Sequence, residues 1–245
     1  MCVQQEGPES LSISILTEET AASPAVGERD IAERIVAAVM DHRLSAGAKL
    51  SEIALCEAFD TTRARVRRAL LVLSERGIVA LHSNRGAFIA SPSREDARDI
   101  FHARVVIEPP IMRVAVQTLR ETQIEQLATY IVSEHAAERA GNRREMIRLS
   151  GLFHVKLASF AGNPVLVRIV EDLVAKSSLI IGLFGDSRQE SCSHEEHERL
   201  LDAIRRRDAK AAPGMMAEHL EAIERSLKLT IVADEPADLK RILAL

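Results

Sequence analysis

Arginines concentrate in one short stretch of this chain. Residues 61–90 contain six arginines and one acidic residue, a local charge of +5 in a chain of net charge −4. Arg63 and Arg67 are four residues apart, so on a helix they share one face, opposite an apolar stripe that begins at Val66. Guanidinium groups suit two-pronged contacts with guanine and phosphate. The stretch therefore predicts a helix that packs inward on its apolar side and offers arginines to the major groove of DNA.

Polar residues at both ends of this stretch extend the predicted contact. Thr62 lies at the helix N-terminus, where hydroxyl groups and unpaired amides hold phosphate, and Arg65 adds a further guanidinium. Two β-prone runs follow around the turn Asn84-Arg85-Gly86, which is typical of a hairpin. We expect Arg85, at the hairpin tip, to reach an adjacent minor groove.

Three histidines form a second group with chemical potential. His154, His197 and His219 each lie on the apolar stripe of a predicted helix, and Ser150 precedes His154 by one turn. Imidazoles that converge inside a bundle are good ligands for zinc, nickel, iron or manganese. The alternative is a polar pocket without metal, in which each ring is satisfied by a backbone carbonyl. His102 and His135 are expected to be ordinary structural histidines.

The elements that position these residues can be placed along the chain. A first helix is expected from Asp30, as N-cap, and a second from Ser51. The basic helix runs from about Arg63 to Arg76 and ends at Gly77, and the hairpin follows. Everything after Ser93 carries a helical pattern, with helices near residues 93–108, 111–119, 121–140, 143–161, 164–184, 192–206 and 208–231.

This order predicts a mainly α protein: an N-terminal winged helix-turn-helix and a C-terminal all-α bundle of six to seven helices. The expected divisions are a flexible leader, a DNA-binding domain, a helical ligand-binding and dimerisation domain and a tail, at residues 1–29, 30–91, 93–231 and 232–245.

Composition excludes several classes of protein. Aromatic residues are 3% of the 245 residues and tryptophan is absent, which disfavours base-stacking RNA-binding folds. No apolar run approaches the roughly 18 residues that span a membrane. The first basic residue is Arg29, too late for a signal peptide. Three scattered cysteines fit neither a disulfide framework nor a four-cysteine zinc site. We expect a cytoplasmic protein with no membrane partner.

The first domain resembles the GntR family of bacterial transcription regulators. The resemblance lies in residues 44–52, in Thr62 to Leu70 and in Asn84-Arg85-Gly86; Asp60-Thr61 departs from the small apolar pair usual in the family. It implies a homodimer that binds a palindromic operator in double-stranded DNA. It also implies that the DNA-binding residues are Thr62, Arg63, Arg65, Arg67, Asn84, Arg85 and Gly86.

The remainder resembles the ligand-binding (FCD) domain of the FadR-type branch of that family. The matching segments are Phe153-His154, Gly162 to Leu166, Glu196 to Ile204 and Glu218 to Leu220, together with Arg104 and Glu108. In that branch an aspartate and three histidines hold a divalent metal at which a small carboxylate often binds.

Carried over, the resemblance implies zinc or nickel on His154, His197 and His219. It also implies a carboxylate effector that contacts these histidines, Ser150 and Arg104. Ser150 stands where the branch has aspartate, and a neutral hydroxyl is a weaker ligand, so the metal-free pocket remains the alternative. A second departure is Pro213-Gly214, which is expected to kink the last helix and move His219.

The sequence thus predicts a ligand-responsive transcription regulator that acts mostly as a repressor. Two other functions were weighed. A histidine–metal hydrolase fused to a DNA-binding module would need a general base at the metal, yet Glu196 and Glu218 point about 100° away from their neighbouring histidines. An architectural DNA-binding protein would not need polar groups buried in a separate helical domain.

Overall fold

The computed structural model describes residues 26–185 and 193–227. Within them, three helices and a small sheet are followed by six further helices. The elements are α1 (Glu28–Met40), β1 (Lys49–Leu50), α2 (Glu52–Phe59), α3 (Arg63–Glu75), β2 (Val79–His82), β3 (Gly86–Ile89), α4 (Arg94–Thr118), α5 (Glu121–Arg139), α6 (Arg143–Phe160), α7 (Pro164–Phe184), α8 (Ser193–Arg205) and α9 (Ala212–Ser226). The predicted fold class, a winged helix-turn-helix followed by an all-α bundle, is confirmed.

The N-terminal part is arranged around α3. Ser51 caps α2 by accepting from the Ala54 amide, and Asp60 ends α2 in the left-handed conformation, at φ 45°. This turn leads into α3, whose Val66 and Leu70 are buried in the same apolar cluster as Leu55 of α2. The predicted hairpin β2–β3 is joined by β1, which pairs with β3, so the antiparallel sheet has the order β1-β3-β2. We call α1 to β3 the reading head.

Two helix boundaries differ from the prediction for clear reasons. Asp30 does not cap α1; Gly27 is the N-cap, and Asp30 sits at the third helical position, where its carboxylate accepts from the Gly27 amide. The helices expected at 93–108 and 111–119 are a single helix, α4, with Pro109 and Pro110 inside it. Proline removes a backbone hydrogen bond, but buried residues on both sides of the pair pack against the bundle and keep the helix continuous.

The expected kink at Pro213 is wrong. Helix α9 begins at Ala212 rather than at Asp208, so Pro213 lies in the first turn, where an amide hydrogen has no helical partner to lose. Asp208 instead caps the preceding turn by accepting from the Ala211 amide. His219 is therefore carried on a regular helix. The helix ends at Ser226, with Leu227 as an extended C-cap, so the end predicted at residue 231 is also wrong. The predicted C-terminal tail lies outside the described residues.

The reading head and the bundle share one apolar core. Ile31 and Leu73 of the head belong to the same buried cluster as Val174 and Leu179 of α7. The Arg76 guanidinium pairs with the carboxylate of Asp172 on α7 across this boundary. Helix α7 therefore fixes the orientation of the head relative to the bundle. Among the described helices, none combines the length and the apolar character that a membrane crossing requires.

Candidate DNA-reading face and candidate metal centre

The arginines of α3 lie on the side of the helix that faces away from the core. Arg63, Arg67 and Arg68 are exposed, and Arg65 is half-buried. Arg67 Nε is 3.0 Å from both carboxylate oxygens of Glu52 on α2, and Arg68 contacts Glu28 on α1. The Arg67–Glu52 pair orients one guanidinium while its remaining N–H groups stay available for a ligand.

The other predicted contact residues lie at the ends of this surface. Thr62 is the N-cap of α3 and makes no side-chain capping hydrogen bond. In the wing turn, Asn84 and Gly86 both adopt left-handed backbone, at φ 61° and 92°, which exposes the turn between the strands. The Arg85 guanidinium lies 5.6 Å from the centre of the Phe88 ring. We call these residues and the α3 arginines, taken together, the reading face.

The structure brings the three predicted histidines together inside the bundle. His154 on α6, His197 on α8 and His219 on α9 are all buried, with 2% exposure or less. His154 Nε2 lies 3.2 Å from His219 Nε2 and 3.4 Å from His197 Nε2. One ring nitrogen of each residue lies within 4.8 Å of the other two. We call this group the histidine cluster.

Each histidine turns its other ring nitrogen to a glutamate. His197 Nδ1 is 2.8 Å from Glu134 on α5, and His219 Nδ1 is 2.7 Å from Glu196 on α8. Glu108 on α4 lies 2.6 Å from His154 Nδ1, although these two atoms are not aligned for a hydrogen bond. A carboxylate only accepts hydrogen bonds, so Nδ1 must carry the proton in the two aligned pairs. In the neutral form of either ring, Nε2 is then unprotonated.

Burial keeps the imidazoles of His154 and His219 neutral. Desolvation lowers the pKa of His154 to about 4, although Glu108 opposes the shift. Desolvation, with the neighbouring His197 and His154, lowers the pKa of His219 well below its usual value. Neutral imidazoles need not release a second proton before they bind a cation.

Arg104 and Glu108 form a buried ion pair one turn apart on α4. Arg104 Nε donates to Glu108 at 2.6 Å, and Nη1 donates to the Ser177 hydroxyl of α7 at 3.0 Å. Burial would raise the pKa of Glu108, but Arg104 and His154 outweigh it and hold that pKa at about 2. Arg104 Nη2 is buried and has no hydrogen-bond partner within residues 26–185 and 193–227. Arg104 thus has one donor group left for an anionic ligand.

The donor set fits a tetrahedral divalent metal. Zinc bonds to nitrogen at about 2.0–2.1 Å, so two nitrogens in a tetrahedral site lie about 3.3–3.4 Å apart. The two separations from His154 Nε2, 3.2 and 3.4 Å, match this value, and the ligand nitrogens of His197 and His219 lie within 4.8 Å of each other. Ser150, the position of the family aspartate, is half-buried one turn before His154. A cleft of about 280 Å³ next to His219 and Glu196, lined also by Arg199 and Arg225, adjoins the cluster.

Sequence reasoning missed the glutamates of the cluster. Its place next to His197 in the sequence predicts that Glu196 points away from that histidine. In the structure Glu196 is hydrogen-bonded instead to His219, on a different helix. Glu134 carried a usable signal, because it continues the buried stripe of Leu127 and Ile131 on α5. Glu108 was noted only as part of a motif.

Comparison with known families divides the chain in two. Residues 28–89 match the family described as bacterial regulatory proteins, gntR family, and residues 99–222 match the FCD domain. The HTH-type transcriptional repressor RspR of Escherichia coli K12 is 25% identical over 215 residues, which cover 87% of this chain and 94% of the repressor. The HTH-type transcriptional repressor NanR of Citrobacter rodentium is 26% identical over 197 residues, 71% of this chain and 74% of NanR.

Solved structures show the same fold. Escherichia coli McbR/YncC superposes with a TM-score of 0.72 at 18% identity, covering 80% of this chain and 93% of that protein. A GntR transcriptional regulator from Rhodococcus sp. RHA1 gives a TM-score of 0.70 at 24% identity, with 81% and 95% covered. These similarities are to transcription regulators rather than to enzymes, so the hydrolase alternative has no support among them.

Proposed function

Because the chain belongs to the GntR family of bacterial transcription regulators and carries an FCD domain, we propose that it is an operator-binding repressor controlled by a small carboxylate. In this proposal the protein acts in the cytoplasm as a homodimer on palindromic double-stranded DNA. The observation that carries the proposal is the pairing of an exposed basic reading face with a buried cluster of convergent histidine nitrogens in one chain.

The reading face would contact DNA in two ways. Arg63 and Arg67 enter the major groove, and Thr62 and the unpaired amides of α3 hold a backbone phosphate. Arg65 adds a further positive charge on the same helix. Arg85 reaches the minor groove from the tip of the wing, where Asn84 and Gly86 form the turn that carries it. Two copies in a symmetric dimer place their α3 helices about 34 Å apart, one turn of the duplex.

The histidine cluster would hold one divalent metal, zinc or nickel, through His154, His197 and His219. Such an ion supplies a positive centre and an open coordination position for a carboxylate oxygen. The Nε2 atoms of His197 and His219, whose other ring nitrogens face glutamates, converge with His154 Nε2, so the three rings can turn their lone pairs to one cation. Arg104 Nη2, which has no hydrogen-bond partner among the described residues, supplies the ionic contact that holds the effector carboxylate beside Ser150.

A contact path connects this pocket with the reading head. Arg104 donates to Ser177 of α7, and the same helix carries Asp172, the partner of Arg76 in the head. An effector that draws Arg104 away from Ser177 therefore acts on the helix that orients the head. Only a ligand with different affinities for the two arrangements can shift the balance between them.

DNA binding is tested with selected operator DNA and three variants. Arg63→Ala and Arg67→Ala should each weaken binding about 5–150-fold, since a two-pronged arginine contact is worth about 1–3 kcal/mol. The control is Arg29→Ala, an exposed arginine whose recorded partner is Glu33 of its own helix. Equal affinity of all four proteins for the operator would disprove the assignment of the reading face. Light scattering of the purified protein tests the dimer.

Metal binding is tested by elemental analysis of the full chain purified without a metal-affinity tag. We expect close to one zinc or nickel per chain, loss of this metal in His154→Ala, and its retention in His102→Ala. Ser150→Asp should add manganese binding, because a carboxylate favours harder cations. Absence of bound metal, together with no thermal shift on adding zinc or nickel, would refute the metal site and leave the carboxylate pocket to be tested alone.

A further inference from the structure

Acidic side chains that are not among the proposed metal ligands surround the histidine cluster. Glu134 is 1% exposed, yet it lies on α5, which contributes no histidine to the cluster. Glu196 projects from α8 across to the histidine of α9, with its side chain 24% exposed. Buried carboxylates are expensive unless they are paired, so their placement requires a partner that benefits from them.

Both glutamates contact the ring nitrogen that faces away from the cluster. The distances are 2.8 Å from Glu134 to His197 Nδ1 and 2.7 Å from Glu196 to His219 Nδ1. A carboxylate bound to Nδ1–H fixes the tautomer, prevents rotation of the ring and makes Nε2 a stronger donor to a metal. The glutamates thus act on the cluster through its histidines.

We infer that Glu134 and Glu196 are positioning residues that hold His197 and His219 as Nδ1–H tautomers with Nε2 aimed at a common point, so that the site is built for a nitrogen-preferring cation such as zinc. This inference rests on the proposed metal site and deepens it. The two glutamates place negative charge behind the ligands, where it offsets part of the charge of the cation without occupying its coordination sphere. That compensates for the neutral Ser150 at the position of the family aspartate.

Glu108 on α4 has a different role from the other two glutamates. Glu108 is already paired with Arg104 and is not aligned with His154 Nδ1, so its charge is shared between a guanidinium and an imidazole. We therefore assign the tautomer control to the two aligned pairs. A site of three imidazoles with this outer support should bind zinc far more tightly than manganese or magnesium, which prefer oxygen ligands.

The test uses graded replacements of each glutamate in the full-length protein. Glu134→Gln keeps an acceptor for the Nδ1 proton but loses the negative charge. Glu134→Met keeps a side chain of similar length but loses both the acceptor and the charge. The same pair is made at Glu196, which is more exposed and should fold even if the α5 variants do not. The exposed Glu125 on α5 and the half-exposed Glu198 on α8 give matched controls.

Two measurements are needed. Nitrogen-15 NMR of the imidazoles in metal-free protein should show Nδ1–H tautomers for His197 and His219 in the wild type and Gln variants, with the Nε2–H form appearing at the affected ring in each Met variant. Zinc affinity, measured by chelator competition, should fall about 10–100-fold in the Met variants and less in the Gln variants. The control variants should match the wild type in both.

The outcomes separate this inference from the proposed function. If the wild type binds no zinc, the metal site fails, while the tautomer spectra still decide whether the glutamates set the ring state. If zinc binds with the same affinity in all variants, or if affinity falls while the tautomers stay unchanged, the positioning role is overturned. Equal affinity of the wild type for zinc and manganese would overturn the stated selectivity.

Discussion

Acid should destabilise this protein in a pH range where carboxylates are still ionised. His42, between α1 and β1, is largely buried, and desolvation with the nearby Arg143 and Arg144 lowers its pKa to about 4. The pKa of His154 is also lowered to about 4, chiefly by desolvation. His219 is shifted in the same direction. Each of these residues is neutral in the folded protein, and each gains a proton readily when the chain unfolds.

The direction follows from proton binding. As the pH falls through 6.5, the unfolded chain binds protons at these histidines while the folded protein does not, so unfolding becomes more favourable. The stability is fully present above pH 6.5 and declines until the folded pKa near 4 is reached. For His42 and His154, each with a shift from 6.5 to about 4, the loss between pH 7 and pH 5 is about 2 kcal/mol per residue. His219 adds to this, against a total stability of about 5–15 kcal/mol.

The assay is urea unfolding of protein kept metal-free with a chelator, followed by circular dichroism at half-unit steps from pH 7 to 5. Replacing His42 with Gln should remove about 2 kcal/mol of the loss, since one fewer proton is bound on unfolding. Replacing His102 with Gln serves as the control, because this histidine is exposed to water in the folded protein. A free energy of unfolding that is constant from pH 7 to 5 would refute the burial of neutral imidazoles on which the histidine cluster depends.

Two further predictions concern the buried pair and the helix contacts beside it. Arg104→Met leaves the charge of Glu108 buried without its guanidinium, and urea unfolding should show a loss of about 3–5 kcal/mol, against less than about 0.5 kcal/mol for the exposed Arg98→Met on the same helix. Gly151→Ala places a Cβ 2.9 Å from a methyl group of α7 and should cost about 1–3 kcal/mol, whereas Gly214→Ala, with no atom within 4 Å of its Cβ, should stabilise by about 0.5 kcal/mol. A stable Arg104→Met, or equal unfolding midpoints for the two alanine variants, would contradict these packing assignments.

The reading head could be predicted closely because its signals are local. The sequence predicts the basic helix at 63–76, and the structure has it at Arg63–Glu75. The agreement is close because an apolar stripe defines the buried face of the helix and a following glycine defines its end. The short strand β1 was missed for the opposite reason. Its two residues carry no strand pattern of their own, and they form a strand because β3 offers an unpaired edge.

The bundle shows where such reasoning stops. The stripes on α6, α8 and α9 correctly indicated that three histidines face inward, because helical periodicity decides that question for each helix alone. Which glutamate meets which histidine depends on how helices cross, and no spacing along one helix contains that information. The helix boundary predicted at Pro109 is wrong for the same reason. Proline disfavours a helix locally, but tertiary packing along α4 overrides this effect.

Helix α6 lies next to both the histidine cluster and the reading head because its faces carry different contacts. One face carries His154 into the histidine cluster, while Gly151, close to it in sequence, lets α6 approach α7 and the end of the Met40 side chain of α1. A helix moves as a rigid unit, so a shift of α6 that re-aims His154 must also change its distance from α7 and from the reading head. At Gly151 an added Cβ would lie 2.9 Å from a methyl group of Val174 on α7, so no side chain can absorb a displacement there. We therefore expect the contact at Gly151 to transmit a shift of α6 to α7, the helix that packs against the reading head.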